Sequence, residues 1–273
     1  MKIKNVLKTV ICYSALIVLV LSLFSGCSSD NQGKIAITGS TSVEPLAVKL
    51  KDVYTGNNPG LEIEIQGIGS SGGIKAANEG TVDIGNASRN LKPEEKEWGL
   101  TEYVIARDGI AVVVHPDNPV SDISKDKIAQ IYKGEITNWK DVGGPDKKIY
   151  VISRESGSGT RGAFEELVGF EDELLDDAII ANGNGGVKAD VSKKDDAIGY
   201  ISLGYVDDTV KSLKIDGTEA TVENIQKDEY PIARPFLMVT KGNESKETKA
   251  FLDFILSDDG QKIVAEEGYI PVN

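Results

Sequence analysis

From residue 34 to residue 273, apolar residues recur by turns at the two-residue period of a strand and at the spacing of a helix. Residues 61–66 read Leu-Glu-Ile-Glu-Ile-Gln and predict a half-buried strand, as do residues 34–38. Between them Val43, Leu46, Ala47, Leu50, Val53 and Tyr54 fall at helical spacing around the start signal Pro45. Shorter helix, strand and helix signals follow at 73–79, 82–86 and 93–98. Further strands are predicted at 109–115, 148–153, 197–202, 211–215 and 232–240. Helices lie between them, one at 163–168, and two close the chain at 247–256 and 259–266. Residues 143–146 and 182–186 carry the glycines of loops. Such alternation predicts an α/β protein whose ligands bind at the C-terminal ends of strands.

Three clusters of Gly, Ser and Thr fall at predicted strand-to-helix junctions. They are Thr38-Gly39-Ser40-Thr41-Ser42, then Gln66-Gly67-Ile68-Gly69-Ser70-Ser71-Gly72-Gly73, then Arg154-Glu155-Ser156-Gly157-Ser158-Gly159-Thr160-Arg161. Each would offer hydroxyls and free backbone N–H groups at a helix N-terminus, where the dipole favours an anion. Any one of them is accounted for by an N-cap with turn glycines. Three together, with an arginine in the third, point to a cage of neutral donors around an oxyanion.

The charge balance narrows the function classes. Lys and Arg number 30 against 43 Asp and Glu, for a net charge of -13, which argues against a nucleic-acid binder. An anion must then be held by local donors, because the overall field repels it. Two cysteines and one histidine make neither a disulfide framework nor a zinc site, so no metal is expected.

Lys2, Lys4 and Lys8 precede an apolar run over 9–24, the layout of an export signal. The small residues Ser25 and Gly26 stand before Cys27, and residues 28–33 are polar. This ending resembles a bacterial lipoprotein signal, with Phe24 where leucine is more usual; an uncleaved anchor is the alternative. The resemblance implies removal of residues 1–26, a lipid on Cys27, a linker over 27–33, and an extracytoplasmic protein anchored to the cell membrane. Loss of three lysines takes the net charge to -16. The remaining 247 residues are enough for one large domain or two of about 120 residues each.

Two other motifs compete for the second cluster. Residues 67–72 match the dinucleotide pattern G-x-G-x-x-G, but the acid expected at the end of the next strand is missing: Asp83 lies within that strand, and Ser88 and Arg89 follow it. Residues 69–73 match the hydrolase pattern G-x-S-x-G, with Ser71 as nucleophile and His115 as the sole imidazole base. An exported serine hydrolase is therefore the alternative from another class, although His115 reads as a strand-end residue.

Residues 66–73, 81–85, 154–160 and 197–205 together resemble the phosphate-binding proteins of the ABC phosphate transporter, the PstS family, and the resemblance runs over about residues 34–272. It implies a type II periplasmic-binding-protein fold, two α/β lobes joined by a two-crossover hinge around a ligand cleft. The expected boundaries are 34–108 plus 235–273 for lobe one and 109–234 for lobe two. The implied function is capture of inorganic phosphate for an ABC permease by a monomer that is not an enzyme and carries no cofactor; a sulfate, molybdate or tungstate receptor is the alternative within the class. Carried over by motif, the contacts fall on Thr41, Ser42, Ser70, Arg154, Ser158, Gly159 and Thr160. Ser42 and Gly159 would donate backbone N–H groups, the other four small residues hydroxyl and backbone bonds, and Arg154 a charge-assisted fork. Family members place an aspartate, which accepts the proton of hydrogen phosphate, where this chain has Ser88. Ser88 and Arg89 are therefore second-tier candidates.

Overall fold

A computed structural model describes residues 33–273. The expected signal over 1–26, the lipidation site Cys27 and all of the linker but Gly33 lie outside the described residues. One sheet organises the rest. Its strands are β1 (Lys34–Gly39), β2 (Glu62–Gly67), β3 (Ile84–Ala87), β4 (Thr101–Val114), β6 (Tyr150–Arg154), β7 (Ile179–Ala181), β8 (Ala197–Ser202), β9 (Lys211–Ser212) and β11 (Ala233–Thr240). The order is β2-β1-β3-β11-β4-β8-β6-β7, with β9 on β4, and a separate pair joins β5 (Asp122–Ile123) to β10 (Lys214–Ile215).

The direction of pairing changes at the middle. β1 runs parallel to β2 and β3, and β6 runs parallel to β7 and β8. Between these parallel groups, β11 is antiparallel to both β3 and β4, and β4 is antiparallel to β8. β4 spans both groups: residues 101–109 pair with β11, and residues 110–114 pair with β8. The apolar cores divide at the same place. One set, with Ile35, Leu46, Leu50, Ile84, Ile105, Phe236 and Phe251, draws on residues 35–106 and 236–269. The other, with Ile110, Val112, Ile131, Tyr132, Trp139, Phe164 and Tyr200, draws on residues 110–232 and Ile270.

The helices are α1 (Glu44–Asn57), α2 (Ser70–Glu79), α3 (Pro93–Lys96), α4 (Lys125–Tyr132), α5 (Gly159–Val168), α6 (Gly183–Val191), α7 (Val222–Gln226), α8 (Lys246–Leu256) and α9 (Asp258–Glu266). Among the described residues no helix is long and apolar enough to cross a membrane, and no group of His, Cys, Asp and Glu could hold a metal ion.

Three expectations need correction. Residues 182–186 are not simply a loop, because Gly183 opens α6. Their glycines disfavour a helix, but Val187 and Val191 are fully buried, and packing decides. A Cβ on Gly199 of β8 would stand 2.6 Å from Val187, so that glycine is what lets the helix lie on the sheet. The strand expected at 109–115 starts eight residues earlier, since Glu102, Asp108 and Arg107 break the apolar pattern over the first part of β4. Residues 211–215 form two short strands in different sheets, not one.

Candidate functional site

The three clusters converge. The first is the turn 41–43 between β1 and α1, the second begins α2 after β2, and the third joins β6 to α5. Arg154 Nη2 donates to Thr41 Oγ1 at 3.2 Å, and the Ser42 and Thr160 hydroxyls meet at 2.8 Å. The Ser71 N–H donates to the Gly157 carbonyl at 3.1 Å. A Cβ placed on Gly159 would lie 2.1 Å from Ser70 Oγ and 2.8 Å from Ser88 Oγ. Thr41, Ser42, Ser70, Ser88, Arg154, Gly159 and Thr160 are thus brought together, with Ser158 capping α5 beside them.

Hydrogen-bond direction gives the site its polarity. Ser70 Oγ accepts from the Ser88 N–H at 3.1 Å, Thr41 Oγ1 accepts from Arg154, and Ser158 Oγ accepts from the Arg161 N–H at 3.2 Å. A hydroxyl that already accepts keeps its proton to donate. The site therefore offers donors and suits an anion.

Arg154 is one of three buried arginines among the described residues, with Arg89 and Arg234. Its side chain is 1% exposed. Nε and Nη2 fork onto Glu155 at 2.8 and 2.7 Å, and Nη1 is buried with no hydrogen-bond partner in the protein. Burial pushes the Glu155 carboxyl up, but Arg154's hydrogen bonds and charge, with the Gly183 N–H, outweigh it and hold that carboxyl below its ordinary value. The Arg154 N–H donates to Tyr200 Oη at 3.3 Å, and the Tyr200 ring stacks on Phe164 with centroids 4.0 Å apart. The arginine is therefore fixed at its backbone as well as at its fork.

Arg89 is differently placed. Nη1 and Nη2 pair with Glu95 at 2.6 and 2.8 Å, and Nη2 also donates to Ser71 Oγ at 3.1 Å. Its Cδ lies beside Gly162 of α5. Its charge is answered by Glu95, and its geometry is that of a brace for the second cluster. The Ser71 hydroxyl is bonded to Arg89, while His115 Nδ1 accepts from the Asp117 N–H at 3.2 Å. Among the described hydrogen bonds none joins His115 to Ser71, as a hydrolase would need.

A family model described as a PBP superfamily domain matches residues 27–259. The phosphate-binding protein PstS of Bacillus subtilis (strain 168) is 38% identical over 248 residues, covering 88% of this chain and 81% of that one. The chain belongs to the PstS family of phosphate-binding proteins. A Clostridium perfringens protein assigned as a phosphate ABC transporter substrate-binding protein, solved with bound phosphate, is 50% identical with a TM-score of 0.87 and covers 88% of this chain and 100% of its own. An ABC-type phosphate transport receptor from Vibrio cholerae is 38% identical with a TM-score of 0.77, over 88% and 100%. The fold is accordingly the type II periplasmic-binding-protein fold of the PstS family, two α/β lobes joined by a two-crossover hinge.

Several residues at the site escaped the sequence reading. Tyr205 Oη donates to the Thr41 carbonyl at 2.9 Å, Asn184 Nδ2 donates to Ser42 Oγ at 2.9 Å, and Arg234 Nη1 donates to the Ser88 carbonyl at 3.0 Å. Tyr205 lies within the segment 197–205 that carried the resemblance to the PstS family, which was a usable signal. Asn184 was hidden by its glycines, and Arg234 reads as one more charge at a strand start.

Proposed function

We propose that this protein captures inorganic phosphate outside the cytoplasmic membrane and hands it to the permease of an ABC importer, making and breaking no bond. The observation that carries the reading is Arg154 Nη1, a cationic donor buried without a protein partner among hydroxyls that already accept bonds. Burying such a group is costly unless a ligand answers it. Thr41, Ser70 and Thr160 then donate hydroxyl and backbone bonds, Ser158 its hydroxyl, Gly159 its backbone N–H and Arg154 its free nitrogen, while the Ser42 N–H, which donates to Ser40 Oγ at 3.1 Å, reaches an anion only by sharing that proton. Ser88 faces the same junction from the second tier, and Arg89 braces Ser71.

The reading includes lobes over 34–108 plus 235–273 and over 109–234, supported by the division of the two apolar cores. It also includes a lipid on Cys27 as membrane anchor, and a monomeric state.

One observation favours a receptor for sulfate, molybdate or tungstate instead. Ser88 brings no carboxylate, and the two acids bonded into the site, Glu95 and Glu155, are each held by an arginine. Neither is left to take the proton of hydrogen phosphate. Calorimetry with phosphate, sulfate and molybdate in turn decides: strong heat with phosphate and little with the other two is expected. Equal or tighter binding of sulfate would overturn the phosphate reading.

Long-range charge gives a kinetic expectation. Four cations in or near the second and third clusters are each paired with an acid: Lys75 with Glu79, Arg89 with Glu95, Arg154 with Glu155 and Arg161 with Glu165. The net charge of -16 that remains once residues 1–26 are removed then governs approach and opposes it. Raising salt from 0.01 M to 0.1 M shortens the screening length from about 30 Å to about 10 Å. Stopped-flow association of phosphate should accelerate over that range, and a steep slowing would show that local cations win.

A further inference from the structure

Running from Ser42 and Ser88 of the proposed site out to the central strands, the structure holds a closed circuit of buried polar groups. Asn184 Nδ2 donates to Ser42 Oγ, and Asn184 Oδ1 accepts from the Ser202 N–H at 3.0 Å. Ser202 Oγ donates to Asp108 Oδ1 at 3.0 Å, and Asp108 Oδ2 accepts from Arg234 Nε and Nη2 at 3.2 and 2.9 Å. Arg234 Nη1 donates to the Ser88 carbonyl. Ser40 Oγ donates to Ser88 Oγ at 2.8 Å, and the Ser42 N–H donates to Ser40 Oγ at 3.1 Å, which returns to the start. All seven residues are at most 3% exposed.

The position of this circuit in the fold gives it a use. Asp108 and Arg234 are cross-strand partners in the β4–β11 pairing, at the two points where the chain passes between the proposed lobes. Asn184 and Ser202 belong to lobe two; Ser40, Ser42 and Ser88 belong to lobe one. A rotation of the lobes about β4 and β11 must break the Asn184–Ser42 bond, while the Asp108–Arg234 pair sits on the axis and moves least. Each link is buried, so a broken one leaves a polar group unpaired unless water reaches it. Opening lets water in, and closing requires the whole circuit to form.

We propose that Asn184 is a positioning residue for closure, which reads the Ser42 hydroxyl across the cleft and is tied through Ser202 to the hinge pair Asp108–Arg234. Phosphate capture and the setting of the hinge strands are then one event. The inference rests on the phosphate reading above. Asn184 is not among the proposed phosphate contacts and makes no hydrogen bond to Arg154 among the described residues; it holds the first cluster against lobe two after the ligand has entered.

The test compares phosphate kinetics in purified wild type, Asn184→Ala, Ser202→Ala and the double variant. Ser202→Ala is the mild probe, because it keeps the backbone N–H to Asn184 and leaves the ion pair whole. The dissociation rate constant should rise about tenfold in Asn184→Ala and severalfold in Ser202→Ala, the scale of one buried hydrogen bond. The double variant should match Asn184→Ala, because both cut the same circuit. Association should change less than about twofold, since arrival precedes closure. Thermal melting should fall more with saturating phosphate than without it, because the bonds of Ser202 to Asn184 and Asp108 are lost in both forms and the Asn184–Ser42 bond only in the closed one. Unchanged dissociation in Asn184→Ala, additive effects in the double variant, or an equal loss of phosphate-free stability would each overturn the proposal while wild-type binding leaves the phosphate reading intact. Wild type that takes up no phosphate would overturn both.

Discussion

Arg154→Ala should weaken phosphate binding by about a hundredfold while the fold survives. A hydrogen bond to a charged group contributes roughly 1.5–3 kcal/mol, or about tenfold to 150-fold in affinity. The variant also strips Glu155 of its partner and leaves a carboxylate, today held low by the Arg154 fork, next to the anion's place. The two losses act in the same direction. Adding Glu155→Gln to the alanine variant removes the negative charge and should recover part of the affinity. Arg154→Lys should recover less than the charge alone suggests, because a single ammonium cannot both pair with Glu155 in a fork and keep a donor free. Calorimetry measures the affinities, and circular dichroism with thermal melting checks the fold. Affinity within about threefold of wild type in Arg154→Ala would take the residue out of the site.

The sequence announced the parts of this site that rest on local chemistry. Spacing marked three clusters of Ser, Thr and Gly at strand-to-helix junctions, and the resemblance to the PstS family carried the proposed contacts onto Thr41, Ser42, Ser70, Ser158, Gly159 and Thr160. The strands over 34–38, 61–66 and 197–202 were legible because their apolar period is local too. What stayed hidden depends on distance in the chain. Asp83 lies within the segment 81–85 that carried the family resemblance, and the structure explains it as a tie for β1, its Oδ2 accepting from the Ala36 N–H at 2.8 Å. Arg89 looked like a second cation for the anion until Glu95 was seen beside it, six residues on and 5% exposed. Asn184 meets Ser42 across 142 residues of sequence, and Arg234 meets Asp108 across 126. No period or motif records such pairings. They exist because β4 and β11 both pass through the centre of the sheet.

Gly159→Ala should separate closure from folding more cleanly than any loss of a ligand-binding group. Gly159 stands in the first turn of α5, where its backbone is helical and needs no special freedom. Alanine is the better helix former, so the phosphate-free protein should melt at the same temperature or slightly higher, reflecting a gain of at most about 1 kcal/mol. The obstacle lies across the cleft. The new Cβ would fall 2.1 Å from Ser70 Oγ, 2.8 Å from Ser70 Cβ and 2.8 Å from Ser88 Oγ. The Ser70 hydroxyl cannot swing aside freely, because it accepts the Ser88 N–H, and the Ser88 hydroxyl is held by Ser40. Closure must then stop short or push two buried turns apart. Overpacking of this kind costs about 1–3 kcal/mol, which converts to a loss of about fivefold to 150-fold in affinity. The clash arises only when the lobes meet, so the open protein never feels it. Small-angle scattering with saturating phosphate should show wild type compacting, and Gly159→Ala should compact less or not at all. A variant that binds and compacts like wild type would mean that Gly159 does not meet Ser70 and Ser88 in the phosphate-bound protein.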